Sequence, residues 1–134
     1  MMRKGTGNTG EMGQLPFIHY RGQSMQQFNA VLRAIGTEKG YYNPRDWRQA
    51  IKIDWIVDTW ADLLTQTAGI YLSFNTTAQK NPLYTNFVAD KWRPFFAALE
   101  KQLTQTKSKF IAGNTVTIAD CAMFSALHNL CNNE

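Results

Sequence analysis

Few residues of this sequence stand at spacings that could do chemistry. Gly5, Gly7 and Gly10 spell G-x-G-x-x-G, the pattern with which a glycine-rich turn cradles a dinucleotide pyrophosphate. That use needs a strand before the glycines and a helix opening directly behind them. Only Met1 to Lys4 precede the first glycine, and an extended run containing Pro16 follows the last, so residues 1–12 read as a flexible leader. His19 and His128 have no further donors at ligand spacing, which argues against zinc or any other metal. Cys121 and Cys131 share one helical stretch, and ten residues of helix hold them about 15 Å apart, too far for a bridge within an unbroken helix. They read as packed free thiols of a reducing compartment, and neither pairs with a histidine as a nucleophile. Thr117 and Asp120 stand at capping-box spacing ahead of an apolar run, which makes them a folding signal and not a reactive pair.

The elements that position these residues follow from composition and periodicity. With 134 residues, 44% of them apolar and 13% aromatic, the chain has the make-up of one packed globular unit, or of two small units sharing an interface. The net charge of +4 is scattered along the length and lacks the concentrated basic patch of a nucleic-acid binder. No run approaches the ~20 apolar residues of a membrane span, and the opening lacks the apolar stretch of a signal peptide, so the expected location is cytoplasmic.

Leu15 to His19 reads as a strand, Tyr20-Arg21-Gly22 as a turn, and Ser24 to Gln26 as a short partner strand. Phe28, Val31, Leu32 and Ile35 then recur at helical spacing, with Gly36 as the expected stop. Residues 37–44, with Gly40 and an Asn-Pro pair, read as a linker. A long helix over 45–72 follows, carrying Ile53, Ile56, Val57, Trp60 and Leu64 inward and Asp54, Asp58 and Asp62 outward. Another over 82–106 is expected to start at Pro82 and to kink near Lys91 because of Pro94. A last helix begins behind Thr117.

These pieces resemble the glutathione transferase family, in particular its sigma-like cytosolic members. The resemblance rests on Gly13-Gln14-Leu15-Pro16, on Gly22 followed by Met25 to Arg33, on Ile53-Asp54-Trp55-Ile56-Val57-Asp58-Thr59, and on Phe110 to Asn114 running into Thr117-Ile118-Ala119-Asp120. It implies an α/β, thioredoxin-like start present only as its second half, β-β-α, over 13–36, followed over 45–134 by part of the family's all-α helical domain. The chain is thus expected to be mostly helical and shortened at both ends.

By the same resemblance, Gln14, Leu15, Pro16, Gln27 and Phe28 fall on positions that hold glutathione. Leu15, kept extended by Pro16, would pair its backbone with the cysteinyl part of the tripeptide. Gln27 would lie near the γ-glutamyl end, and Phe28 stands where the family carries a serine that meets the γ-glutamyl carboxylate. Two readings stand for Asp58: an acceptor for the amino group of glutathione bound by a neighbouring subunit, or a solvated helix-face aspartate.

The family activates the glutathione thiol with a tyrosine on its first strand, and Tyr20, Tyr41 and Tyr42 do not occupy that position. The resemblance implies the family's activity, conjugation of glutathione, a co-substrate and not a cofactor, to small electrophiles in detoxification, by a homodimer. This sequence, however, lacks the catalytic first strand, so no catalytic residue is assigned and the chain is expected to be inactive. The alternative is a non-catalytic binding or dimerisation module on the same scaffold.

Overall fold

The computed structural model describes residues 16–73 and 77–131. Strand β1, Phe17–Tyr20, pairs antiparallel with β2, Gln23–Gln26, in the register Phe17 to Gln26 through Tyr20 to Gln23. Arg21 and Gly22 join them with φ of 48° and 79°. Two successive left-handed residues match the right-handed twist of the flanking strands. The hairpin tip is tied down at a distance, because Glu38 accepts from the Tyr20 hydroxyl at 3.0 Å and pairs with Arg21 at 2.9 Å.

Helix α1 spans Phe28–Lys39 and stops at Gly40, whose φ of 80° gives the left-handed cap. Gly36, the expected stop, lies inside the helix and is buried. Its role is close approach: a Cβ there would sit 2.5 Å from Ile118 Cγ2 and 3.2 Å from Tyr42 Cβ. Gly36→Ala is expected to destabilise the fold by about 1–2 kcal/mol, the overpacking cost less the helix propensity that alanine recovers. Urea unfolding measures it, and the penalty is expected to shrink in an Ile118→Ala background, where the opposing methyl is gone.

Residues 40–46 form a tied connection. The N–H groups of Tyr41 and Tyr42 both donate to Gly36 O at 2.7 and 3.1 Å, and the Tyr41 carbonyl accepts from Ile118 N–H at 3.1 Å. Asp46 Oδ1 accepts from Gln49 N–H at 3.2 Å and opens α2, Trp47–Ser73.

Helix α3, Thr77–Phe87, leads into a π-helical turn, Val88–Trp92, and then α4, Arg93–Thr106. The π turn falls where a kink is expected. Pro94 has no N–H for the carbonyl four residues back, and a wider turn absorbs the break. Pro82 is not a helix start, because α3 begins at Thr77 and carries Pro82 inside it. Helix α5, Ile118–Cys131, closes the described chain.

The core is the meeting of α2, the π turn, α4 and α5. Ile53, Ile56, Val57, Trp60 and Leu63 from α2 face Trp92, Phe95 and Leu99, with Ile118, Ala119, Ala122, Met123 and Ala126 from α5. Alanines on the inner face of α5 let α2 lie close. Trp92 is the hub: its ring lies 5.3 Å from Trp60 and 5.7 Å from Phe96, and its Nε1–H donates to Thr67 Oγ1 at 3.3 Å.

Two apolar positions differ from the periodic reading. Leu64 is 48% exposed while Leu63 takes the inward place, and Phe28 is 44% exposed whereas Leu32 packs on the core. Helical spacing admits either Leu63 or Leu64, and only the facing element selects one; Phe28 is the first residue of α1, one turn before Leu32. Among the described residues no helix is long and apolar enough to cross a membrane.

Candidate functional site

The hairpin and the start of α1 form one surface. Pro16 is exposed immediately before β1, while Gln14 and Leu15 lie outside the described residues. Gln27 joins β2 to α1 with φ 69° and ψ 119°, a conformation that a side chain bearing a Cβ adopts at a cost of about 1–3 kcal/mol. This turn swings the chain from the sheet into the helix and leaves the first turn of α1 with no side-chain cap at its N-terminus. Uncapped amides and the helix dipole make such a terminus a receptor for a carboxylate. Phe28 stands at its first position, with its ring partly exposed.

Asp58 is neither solvated alone nor isolated. Arg33 Nη2 donates to both of its oxygens at 2.8 Å, and Asn29 Nδ2 donates to Oδ1 at 2.6 Å. Arg33 Nε reaches Asp54 Oδ1 at 2.7 Å, and the Tyr42 hydroxyl donates to Asp54 Oδ2 at 2.9 Å. Asp54, expected to face out, is thus part-buried in a network that clamps α1 onto α2. Asn29 Oδ1 is buried beside this network with no hydrogen-bond partner.

Partial burial is the largest single influence on Arg33 and opposes its charge, but the hydrogen bonds and charges of Asp54 and Asp58 outweigh it and raise the guanidinium above its ordinary range. Burial first, and then the bond to Asp54, push Tyr42 up from the usual phenol range. With its hydroxyl committed to the Asp54 carboxylate, Tyr42 is not placed to donate to a thiolate. Tyr20 is likewise committed, to Glu38.

Thr117 and Asp120 meet at the start of α5, where Ile118 lies against Gly36 and Tyr41 near the C-terminal end of α1. The Asp120 carboxylate accepts from Thr117 N–H at 2.8 Å, from the Thr117 hydroxyl at 2.9 Å and from Ile111 N–H at 2.9 Å. It therefore fastens the Phe110–Gly113 turn to α5 as well as opening that helix. Thr117 itself is buried.

Cys121, read from the sequence as packed, is exposed; it lies on the outer side of α5, with the inner side given to alanines. His19 contacts Ser24 Oγ at 3.3 Å, and His128 stacks on Phe124. Among the described residues no group of three or more His, Cys, Asp or Glu gathers as metal ligands. An open pocket of about 450 Å³ lined by Thr37, Tyr42, Pro44 and Arg45 lies at the far end of α1, away from Gln27.

The structure brings Gln27, Phe28 and Asp58 to one end of α1, with Asn29 linking them, and keeps Thr117 and Asp120 apart from them. Periodicity missed Arg33, Asn29 and Tyr42 because their partners lie 12 to 29 positions away. The available signal was one arginine on a polar helix face together with an Asp54–Asp58 pair at i, i+4.

Comparison with known proteins agrees with this architecture. Residues 61–134 match the family model for the glutathione S-transferase C-terminal domain. The chain is 25% identical over 115 residues to glutathione S-transferase A4 of Mus musculus, covering 86% of this chain and 50% of that protein. It is 24% identical over 123 residues to glutathione S-transferase 2 of Caenorhabditis elegans, covering 90% and 65%. A solved glutathione S-transferase structure from Caenorhabditis elegans superposes with a TM-score of 0.72 at 20% identity, over 98% of this chain and 67% of that one. The superposition supports a thioredoxin-like start followed by an all-helical domain. The chain belongs to the glutathione S-transferase family. It spans about half the length of the mouse relative.

Proposed function

We propose that this chain binds glutathione at the hairpin and the N-terminus of α1, and that it serves conjugation of the glutathione thiol to small electrophiles. The observation that carries the reading is the uncapped first turn of α1 behind the strained Gln27, in a chain of this family. The γ-glutamyl carboxylate would rest on the first-turn amides, with Gln27 beside it. By the family pattern the backbone of Leu15 would pair with the cysteinyl part of the tripeptide, with Gln14 helping to hold it. In a homodimer, Asp58 of the partner subunit would accept from the glutathione ammonium. The working location is the cytoplasm, where reduced glutathione and the exposed Cys121 thiol would both persist.

In conjugation the glutathione sulfur forms a bond to the electrophilic carbon as the leaving group departs with its electron pair. The thiol proton goes to solvent, and the rate depends on holding the sulfur as thiolate. Tyr20 and Tyr42 donate to Glu38 and Asp54, and this favours, as a second reading, a binding module without turnover. Two assays on the 134-residue chain separate the possibilities. Retention on immobilised glutathione with slow conversion of an activated aryl halide is the expected result. Turnover comparable to an intact transferase supports the catalytic reading outright, and failure to be retained overturns glutathione binding.

Phe28 sets the affinity. Phe28→Ser restores a hydroxyl at the helix start, and a hydrogen bond to a charged group contributes about 1.5–3 kcal/mol. At ~1.4 kcal/mol per tenfold, glutathione should bind roughly ten- to a hundredfold more tightly by titration calorimetry. The partial exposure of Phe28 makes the substitution inexpensive for the core.

A further inference from the structure

The open pocket at the C-terminal end of α1 is separate from the surface at that helix's start. Thr37, Gly40, Tyr42, Asn43, Pro44 and Arg45 line about 450 Å³, a volume in the range of small-molecule sites. The 12 residues of α1, about 18 Å of helix, lie between it and Gln27.

Its walls are held by hydrogen bonds within the connection. Gly36 O accepts from the N–H groups of Tyr41 and Tyr42, Asn43 O accepts from Asp46 N–H at 3.2 Å, and Asn43 Oδ1 accepts from Arg45 N–H at 3.1 Å. The Tyr42 hydroxyl is committed to Asp54 at 2.9 Å, which leaves its ring, with the ring of Pro44, as apolar lining. The Thr37 hydroxyl donates to Arg33 O at 2.8 Å.

Arg45 is the single charge of this lining. It is exposed, and among the described residues no carboxylate pairs with its guanidinium, whereas Arg33 holds two aspartates. With Oδ1 occupied, Asn43 offers Nδ2 as a second donor. A guanidinium takes a carboxylate through two parallel hydrogen bonds, and the rings beside it suit a flat apolar body. Charge decides between monoanion and dianion. The pocket has one cation and stands at the negative end of the α1 dipole, so a phosphate dianion is poorly matched there.

We infer that this pocket is a second ligand site, which takes an aromatic monocarboxylate. Its carboxylate meets Arg45 and Asn43, and its ring lies against Tyr42 and Pro44. The site is independent of glutathione, which would bind at the other end of α1.

Titration of the isotope-labelled full chain with 2-naphthoate tests it through the backbone amide resonances, with the fold of each variant checked by circular dichroism. Saturable shifts are expected at Gly40, Tyr42, Asn43 and Arg45, with a Kd of about 1 mM or below, and they should persist in saturating reduced glutathione. Arg45→Ala should weaken binding about tenfold, since it removes a charge-assisted hydrogen bond, and Arg45→Lys should fall between. Arg48→Ala, outside the lining, should bind as the wild type does. The uncharged methyl ester of 2-naphthoate should bind the wild type about tenfold more weakly. Equal affinity in Arg45→Ala, equal binding of the ester, shifts confined to other residues, or competitive displacement by glutathione would each overturn the site. No saturation by about 10 mM would do the same. Naphthoate binding by a chain that fails to be retained on glutathione supports this site and overturns only the one at Gln27.

Discussion

Replacing Asp120 with alanine is expected to lower the unfolding free energy by about 2–5 kcal/mol, because two backbone donors lose their acceptor and an unsatisfied buried donor costs about 1–3 kcal/mol. Those donors are the N–H groups of Ile111 and Thr117, the second on a buried residue. The same carboxylate holds the Thr117 hydroxyl. Thr117→Val removes only that hydroxyl and should cost nearer ~1 kcal/mol. Denaturant unfolding of the two variants distinguishes this arrangement from a simple helix cap. Equal losses would show that the hydroxyl, and not the carboxylate, is the anchor. Glutathione retention by the folded fraction of Asp120→Ala should match the wild type, since the residue lies away from Gln27.

A second large effect is expected at Trp92. The residue is 2% exposed and touches Trp60 of α2 and Phe96 of α4. Truncating a buried aromatic to alanine costs about 3–5 kcal/mol, against a total domain stability of about 5–15 kcal/mol. Trp92→Ala should therefore melt far below the wild type or lose cooperative unfolding. Trp92→Phe, which keeps the ring contacts but gives up the hydrogen bond to Thr67, should lie between. A Trp92→Ala protein with a wild-type melting temperature would mean that the core is not centred there.

Much of this fold was legible in the sequence because its elements are local. The hairpin announces itself through Arg21-Gly22, α2 through the spacing of Ile53, Ile56, Val57 and Trp60, and the break ahead of α4 through Pro94. Gly36 misled because a glycine in a helical pattern has two meanings, a stop or a close contact. Only the position of Ile118, 82 residues on in the sequence, selects the second. Pro82 misled for the converse reason: its place at a helix start is a preference, and α3 runs through it.

The resemblance of Pro16, Gln27, Phe28 and Asp58 to a family pattern supplied only candidate positions for a site. Their physical surroundings were not legible. Nothing local to residue 27 announces its strained backbone, which follows from turning the chain between a sheet and a helix already fixed in place. Likewise Asp54, Asp58 and Asp62 look alike in sequence, and only the approach of α1 singles out the two that face Arg33.

The most direct test follows the backbone amide resonances of the isotope-labelled chain during titration with reduced glutathione. Saturable shifts concentrated at residues 27–30 and along β1, lost with an analogue lacking the γ-glutamyl carboxylate, are the predicted result. Saturation without shifts at those amides, or equal shifts with the truncated analogue, would contradict a glutathione site at the start of α1.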